Sequence, residues 1–172
     1  MLLGLAIRDI VLIDRLDLVF APGLTVLTGE TGAGKSILLD ALGLALGVRA
    51  DLGLLRQGAS QAIVTAEFEL PEDHPVRQLI AEQGLEVEGS VLLRRQIAAD
   101  GRNRAFVNDQ PVGVALLRQI GDGLVEIVGQ FEQHGLLDAA SHGQMLDAHG
   151  GHDSASVAEA WRAWQESSRA RD

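Results

Sequence analysis

Eight residues constrain this chain more than any others: Gly29-Glu30-Thr31-Gly32-Ala33-Gly34-Lys35-Ser36 fits the pattern G-x-x-x-x-G-K-[ST] at every fixed position. Such a loop carries chemistry only where it links a buried strand to a helix, and the flanks suit both. Leu24-Thr25-Val26-Leu27-Thr28 is a short apolar and β-branched run expected to form a buried strand. Ile37 to Leu46 reads as a largely buried helix. Gly29, Gly32 and Gly34 permit positive φ and leave no Cβ between backbone N–H groups and a bound phosphate. A helix starting near Lys35 aims its positive end at the same anion. Lys35 is placed to reach β- and γ-phosphates, the Ser36 hydroxyl to ligate Mg²⁺, and Glu30, Thr31, Ala33 and Ile37 to complete the backbone cradle.

Lysine usage sharpens the reading. Of 14 basic residues 13 are arginine, so the one lysine, Lys35, stands where the loop needs a compact ammonium rather than a planar fork. A guanine-reading Asn-Lys-x-Asp element is excluded by the same count. The chain has no cysteine, which removes disulfides, thiolate metal sites and cysteine nucleophiles and fits a reducing compartment. No apolar run approaches the roughly 20 residues that span a bilayer, and the apolar N-terminus lacks a basic n-region and cleavage site. A cytoplasmic chain without a membrane partner is expected. A net charge of −10 argues against coating nucleic acid with the whole surface and leaves room only for a local patch of arginines.

The rest of the chain predicts an α/β fold with an antiparallel middle. Leu5 to Ile10 and Leu16 to Phe20 read as strands, and Ala21-Pro22-Gly23 as the turn into the loop strand. Gln61 to Leu70 alternates, with Val64, Ala66, Phe68 and Leu70 on one face. Pro75 to Gln83 predicts a helix stopped at Gly84. Val91 to Ile97 and Arg104 to Val107 read as strands joined across Asp100-Gly101. Val114 to Ile120 reads as a helix and Leu124 to Val128 as a strand. In the last thirty residues, Ser141 with Gln144 and Ser156 with Glu159 have capping-box spacing, separated by Gly150-Gly151. Val157, Trp161 and Trp164 then form an i, i+4, i+7 stripe, the seam of an amphipathic helix that needs a partner helix.

Taken in order, these residues resemble the RecN family of bacterial DNA-repair ATPases, relatives of SMC proteins whose heads are ABC-type ATPases carrying a long coiled coil. The resemblance rests on the loop at 29 to 36, Leu55-Arg56-Gln57-Gly58 before the Val64 to Phe68 strand, and Asp100-Gly101-Arg102 with the Asn108 turn. It continues through Gly129-Gln130-Phe131-Glu132 after a strand and Met145-Leu146-Asp147 opening a helical arm. It implies the N-terminal lobe of a P-loop, ABC/SMC-type head over 1–138 and the root of a coiled coil over 139–172. ATP with Mg²⁺ is the implied cofactor pair, and the implied role is DNA double-strand break repair and recombination. The implied partners are a C-terminal lobe of the same protein, a second head across sandwiched ATP, and DNA in the nucleoid. Gln130 resembles the Q-loop glutamine, which touches Mg²⁺ and the attacking water and, with Lys35, belongs to the catalytic set. Arg56 resembles the arginine of the SMC-type R-loop near nucleotide and DNA; an ordinary surface ion pair is the other reading. The sequence departs from the family where histidines usually surround the glutamine, having Val128, Phe131 and Gln133 there.

Hydrolysis on this fold also needs an apolar strand ending in Asp-Glu and an opposing serine-glycine-glycine signature. These residues contain neither, so the C-terminal lobe is expected beyond residue 172. The alternative is a self-contained small P-loop kinase or NTPase unrelated to DNA. His142, His149 and His152 suggest a solvated helix end rather than a metal site. Arg94, Arg95, Arg102 and Arg104 crowd one hairpin and are candidate surface contacts for DNA phosphates, but adjacent strand residues face opposite ways, so Arg94 and Arg95 cannot share a patch.

Overall fold

Two-residue alternation builds the sheet. The computed structural model describes residues 1–29, 34–127, 142–150 and 154–169, which divide into two units, Met1–Val125 and Glu126–Asp172. In the first, β1 (Leu2–Ile10), β2 (Ile13–Val19), β3 (Gln61–Phe68), β4 (Val91–Ala98), β5 (Asn103–Val107) and β6 (Gln110–Val112) form one sheet in the order β2-β1-β3-β4-β5-β6. Every pairing is antiparallel. One register row crosses the whole sheet: Leu16, Ile7, Val64, Arg95, Ala105 and Val112 lie side by side. On that face Leu5, Ile7, Ala62, Val64, Ala66, Phe68, Val91, Leu93, Ile97 and Val107 are buried, as the alternation of β3 and β4 predicts.

Helices cover the same face. α1 (Lys35–Ala45) packs on β1, β3 and β4 through Ala41, Leu44 and Ala45. α3 (Val114–Asp122) packs on β5 through Leu117 and Ile120, and α2 (Pro75–Glu82) contacts α3 with Val76 and Ile80 buried. Pro75 sits in the first turn of α2 and Gly84, at φ 72°, follows its last residues, as expected. α3 meets the end of α1 so closely that a Cβ on Gly121 would overlap the Leu46 carbonyl. Gly121→Ala is therefore expected to destabilise the chain by about 1–3 kcal/mol through overpacking. Chemical denaturation measures it, and an unchanged midpoint would show that the helices can separate freely.

Two local expectations in the first unit need correction. Residues 24–28 are not a strand of the sheet: Leu24 is 93% and Val26 68% exposed, and no strand among the described residues pairs with them. A run with apolar groups on both faces needs neighbours on each side and cover above and below, and the described strands pair only with one another. Residues 124–127 are likewise irregular, the Leu124 and Val125 N–H groups both turning back to the Gly121 carbonyl; Val128 lies outside the described residues. Conversely, β6 was not anticipated. Asn108 and Asp109 both take positive φ, 46° and 64°, which makes a two-residue hairpin turn, and Pro111 is tolerated because β6 is an edge strand.

The second unit contains α4 (His142–Gly150) and α5 (Ser154–Arg169). α5 begins two residues before the expected cap, so Ser156 lies inside it. Val157, Trp161 and Trp164 are all more than half exposed, and the two indole rings stack with centroids 4.7 Å apart. No helix among the described residues is long and apolar enough to cross a membrane.

Candidate nucleotide-binding site

The candidate phosphate site is the start of α1. Gly34 is its N-cap residue, with φ 90° and ψ 4°, a left-handed conformation that costs glycine little and other residues more. A Cβ there would meet nothing within 4 Å, so backbone conformation selects glycine at this position. The cap residue makes no side-chain hydrogen bond to the helix, and the first-turn N–H groups of an α-helix point away from its own carbonyls. That is the donor set an anion takes, with the helix dipole favouring negative charge at the same end.

The Lys35 Nζ donates to the Gly29 carbonyl oxygen at 2.5 Å. The ammonium thus lies across the space between Gly29 and the helix start. Ser36, the residue offered as Mg²⁺ ligand, is exposed at the surface of the first turn. The donor set therefore fits a phosphate group, and an accessible hydroxyl beside it fits a hard cation. Glu30, Thr31, Gly32 and Ala33 lie outside the described residues, as does Gln130. Packing of the far half of α1 onto three strands fixes where its near end points. The site is thus the start of a helix whose body packs on the sheet, preceded by an exposed run that pairs with no described strand.

Arg56 is held in an acidic clasp. Its Nη1 lies 2.5 Å from Asp14 and 3.7 Å from Asp9, and its backbone N–H donates to the Asp9 carbonyl at 3.0 Å. The clasp ties residues 54–56 to the β1–β2 turn, where the Val11 N–H donates to the Leu54 carbonyl. Val11 and Asp9 have φ of 47° and 54° there, a strained pair for residues with side chains, one of them β-branched. The ion-pair reading of Arg56 is thus realised in the structure, with about 39% of the side chain exposed.

The hairpin arginines separate as alternation requires. Arg94 stacks over Phe106 at 4.4 Å and pairs with Asp109, while Arg102 pairs with Asp100, whose carboxyl is held low first by the Arg102 N–H bond. Arg104 is cross-strand from Gln96, on the face opposite Arg95. Arg95 is 1% exposed, in the core row between Val64 and Ala105, and burial lowers its pKa without discharging it. Sequence reasoning treated this residue only as a surface candidate. The available signal was its position in the alternation of Val91, Leu93 and Ile97. His142 and His149 lie on α4, and among the described residues no group of three or more His, Cys, Asp or Glu is placed to hold a metal ion.

Residues 5–127 match the family model described as AAA domain. The chain is 41% identical to the DNA repair protein RecN of Xylella fastidiosa strain 9a5c and 40% identical to that of Bacillus subtilis strain 168, over 96% of its own length in both cases. It spans only 30% and 28% of those relatives. Among solved structures, it superposes on an SMC protein from work on the ATP-driven dimerization and DNA-stimulated activation of SMC ATPases. The TM-score is 0.58 at 21% identity, covering 71% of this chain and 78% of the other. The fold is accordingly the α/β, P-loop ATPase fold of SMC heads, with the antiparallel subdomain described above. The chain belongs to the AAA domain family, and the resemblance to RecN proteins read from its motifs holds over nearly its whole length.

Proposed function

We propose that this chain is the nucleotide-binding lobe of a composite, SMC-like head that binds ATP with Mg²⁺ and serves DNA double-strand break repair and recombination. The observation that carries this is the run before the loop: residues 24–28 are exposed and pair with no described strand, and α1 starts at Lys35 with no side-chain cap and with the lysine ammonium on the Gly29 carbonyl. A self-contained kinase would enclose that strand in its own sheet. Here it is available to a complementary lobe, while residues 139–172 serve as the root of a coiled coil.

In this reading Lys35 contacts the β- and γ-phosphates, and the N–H groups from Gly29 through Ile37 cradle them. Ser36 holds Mg²⁺ together with Gln130, whose amide also orients the attacking water. Bound ATP supplies the charge that joins two heads into a homodimer holding or tethering DNA. Arg56 reaches nucleotide or DNA phosphate only if the Asp9–Asp14 clasp opens. The setting is the cytoplasm, at the nucleoid.

Hydrogen exchange tests the composite head. In the full-length protein the amides of 25–28 are expected to exchange far more slowly than in the 172-residue chain, because a neighbouring strand accepts from them. Equal exchange in the two would show that no lobe pairs there.

A further inference from the structure

The helices of the first unit cover one face of its sheet, and on the other face the strand side chains are exposed or half-buried. One register row of that open face sets Arg15, Arg8, Ile63, Gln96 and Arg104 side by side across five strands. With neighbouring strands about 4.8 Å apart, the row is roughly 19 Å long and has an arginine at each end. Arg94 lies two residues along β4 on the same face, beside Phe106. Arg102 lies two residues before Arg104, its carbonyl accepting from the Ala98 N–H at 2.8 Å.

The charge balance of this face is the reverse of the chain's. Over the whole sequence 24 acidic residues outnumber 14 basic ones. Here five arginines stand against four carboxylates, Asp17, Glu67, Asp100 and Asp109. Arg8 and Arg15 share Asp17, and Glu67 accepts from the Ser90 hydroxyl. Arg104 is exposed and makes no ion pair among the described residues. Together with Arg102, Gln61, Gln96 and Ala98 it lines a hollow of about 130 Å³ whose wall contains no carboxylate.

Guanidinium and amide N–H groups are the donors that phosphate oxygens take. A small anion would fill one end of a row this long, whereas a polyanion with regularly repeating charge engages both ends. Base stacking is not offered. Phe106, the one aromatic residue within the strands of this face, already lies under the Arg94 guanidinium at 4.4 Å, so no ring is free for the unstacked bases of a single strand.

We propose that the open face of the sheet is a docking surface for the phosphate backbone of duplex DNA, with Arg104 and its hollow as one phosphate seat and Arg8 and Arg15 as the contact at the far end. The proposal rests on the reading that this protein acts on DNA, and adds the surface that touches it. Because the rest of the chain is acidic and repels the same polyanion, the duplex is confined to this face.

The test measures binding of a short blunt-ended duplex to the full-length protein over a range of salt concentrations. Arg104→Ala is expected to weaken binding about two- to fivefold at fixed salt and to reduce the slope of log K against log salt by about 0.9, equally for duplexes of different sequence. Arg104→Glu weakens binding further, by about tenfold, and Arg104→Lys keeps the wild-type slope. Arg118→Ala, on α3 at the covered side of the sheet, changes neither affinity nor slope, and ATP affinity is that of the wild type in every variant. Wild-type affinity and slope in Arg104→Ala and Arg104→Glu would overturn the proposal. Equal losses in Arg118→Ala would do the same, by making the effect one of overall charge. So would an altered oligomeric state of Arg104→Glu with DNA binding untouched, which would assign the face to a protein contact. Failure of the DNA reading itself shows separately, as a wild-type protein that binds no duplex, and it overturns the surface along with the reading.

Discussion

Lys35→Ala is expected to lower ATP affinity by roughly 10- to 150-fold while leaving the fold intact. Lys35 opens α1 rather than anchoring it: the helix is held by Ala41, Leu44 and Ala45, one to three turns further on, and the Lys35 ammonium is directed at the Gly29 carbonyl across the loop. Alanine has the higher helix propensity, so the backbone keeps its conformation. What is lost is one charge-assisted contact to the phosphates, of the order of 1.5–3 kcal/mol, which converts to roughly 10- to 150-fold in affinity. The N–H donors of the first turn remain and account for residual binding. Calorimetric titration on the folded variant measures it. Wild-type affinity in Lys35→Ala would move the phosphate site elsewhere.

The parts of this fold that were legible in the sequence are those decided within a few residues. Alternation in Ala62, Val64, Ala66 and Phe68 is sufficient to place β3, because a period of two puts all four on the covered face. Pro75 and Gly84 bracket α2 by backbone chemistry alone. The start of α1 was equally readable, since Gly34 and Lys35 act through their own conformation and charge. Residues 24–28 were misread for the opposite reason. Their apolar content suggests a buried strand, but whether strands flank them is a long-range matter that the local run does not encode, and no described strand pairs with them. Arg95 shows the same limit from the other side. Charge suggests surface, whereas register with Val64 and Ala105 makes it core, and tertiary placement overrides composition. Arg56 needed the Asp9–Asp14 clasp, formed between segments over forty residues apart, before its ion pair could be seen.

The 172-residue chain, by itself, is expected to bind ATP·Mg²⁺ and to release phosphate no faster than a protein-free control. Binding survives because the loop, its helix start and Lys35 are contiguous in sequence and the helix is fixed by packing within the first unit. Turnover is expected to fail because the sequence has no apolar run ending in Asp-Glu to supply a general base. The acidic side chains nearest in character, Asp9 and Asp14, are committed to Arg56, and Asp17 to Arg8 and Arg15. General-base catalysis is worth on the order of 10²–10⁴ in rate, and each preorganised donor around the transferring group about 10²–10³ more. Two such deficits together place phosphate release below detection. Completing the head should restore hydrolysis with a specific activity that rises with protein concentration, since two heads must meet across the nucleotide. In that completed protein Gln130→Ala should lower the rate while ATP affinity stays within a few-fold, as for a residue that acts on water rather than on nucleotide. Phosphate release over a range of protein concentrations decides the matter. Brisk hydrolysis by the short chain, independent of concentration, would mean that the catalytic carboxylate lies within these 172 residues and that the exposed strand needs no second lobe to work.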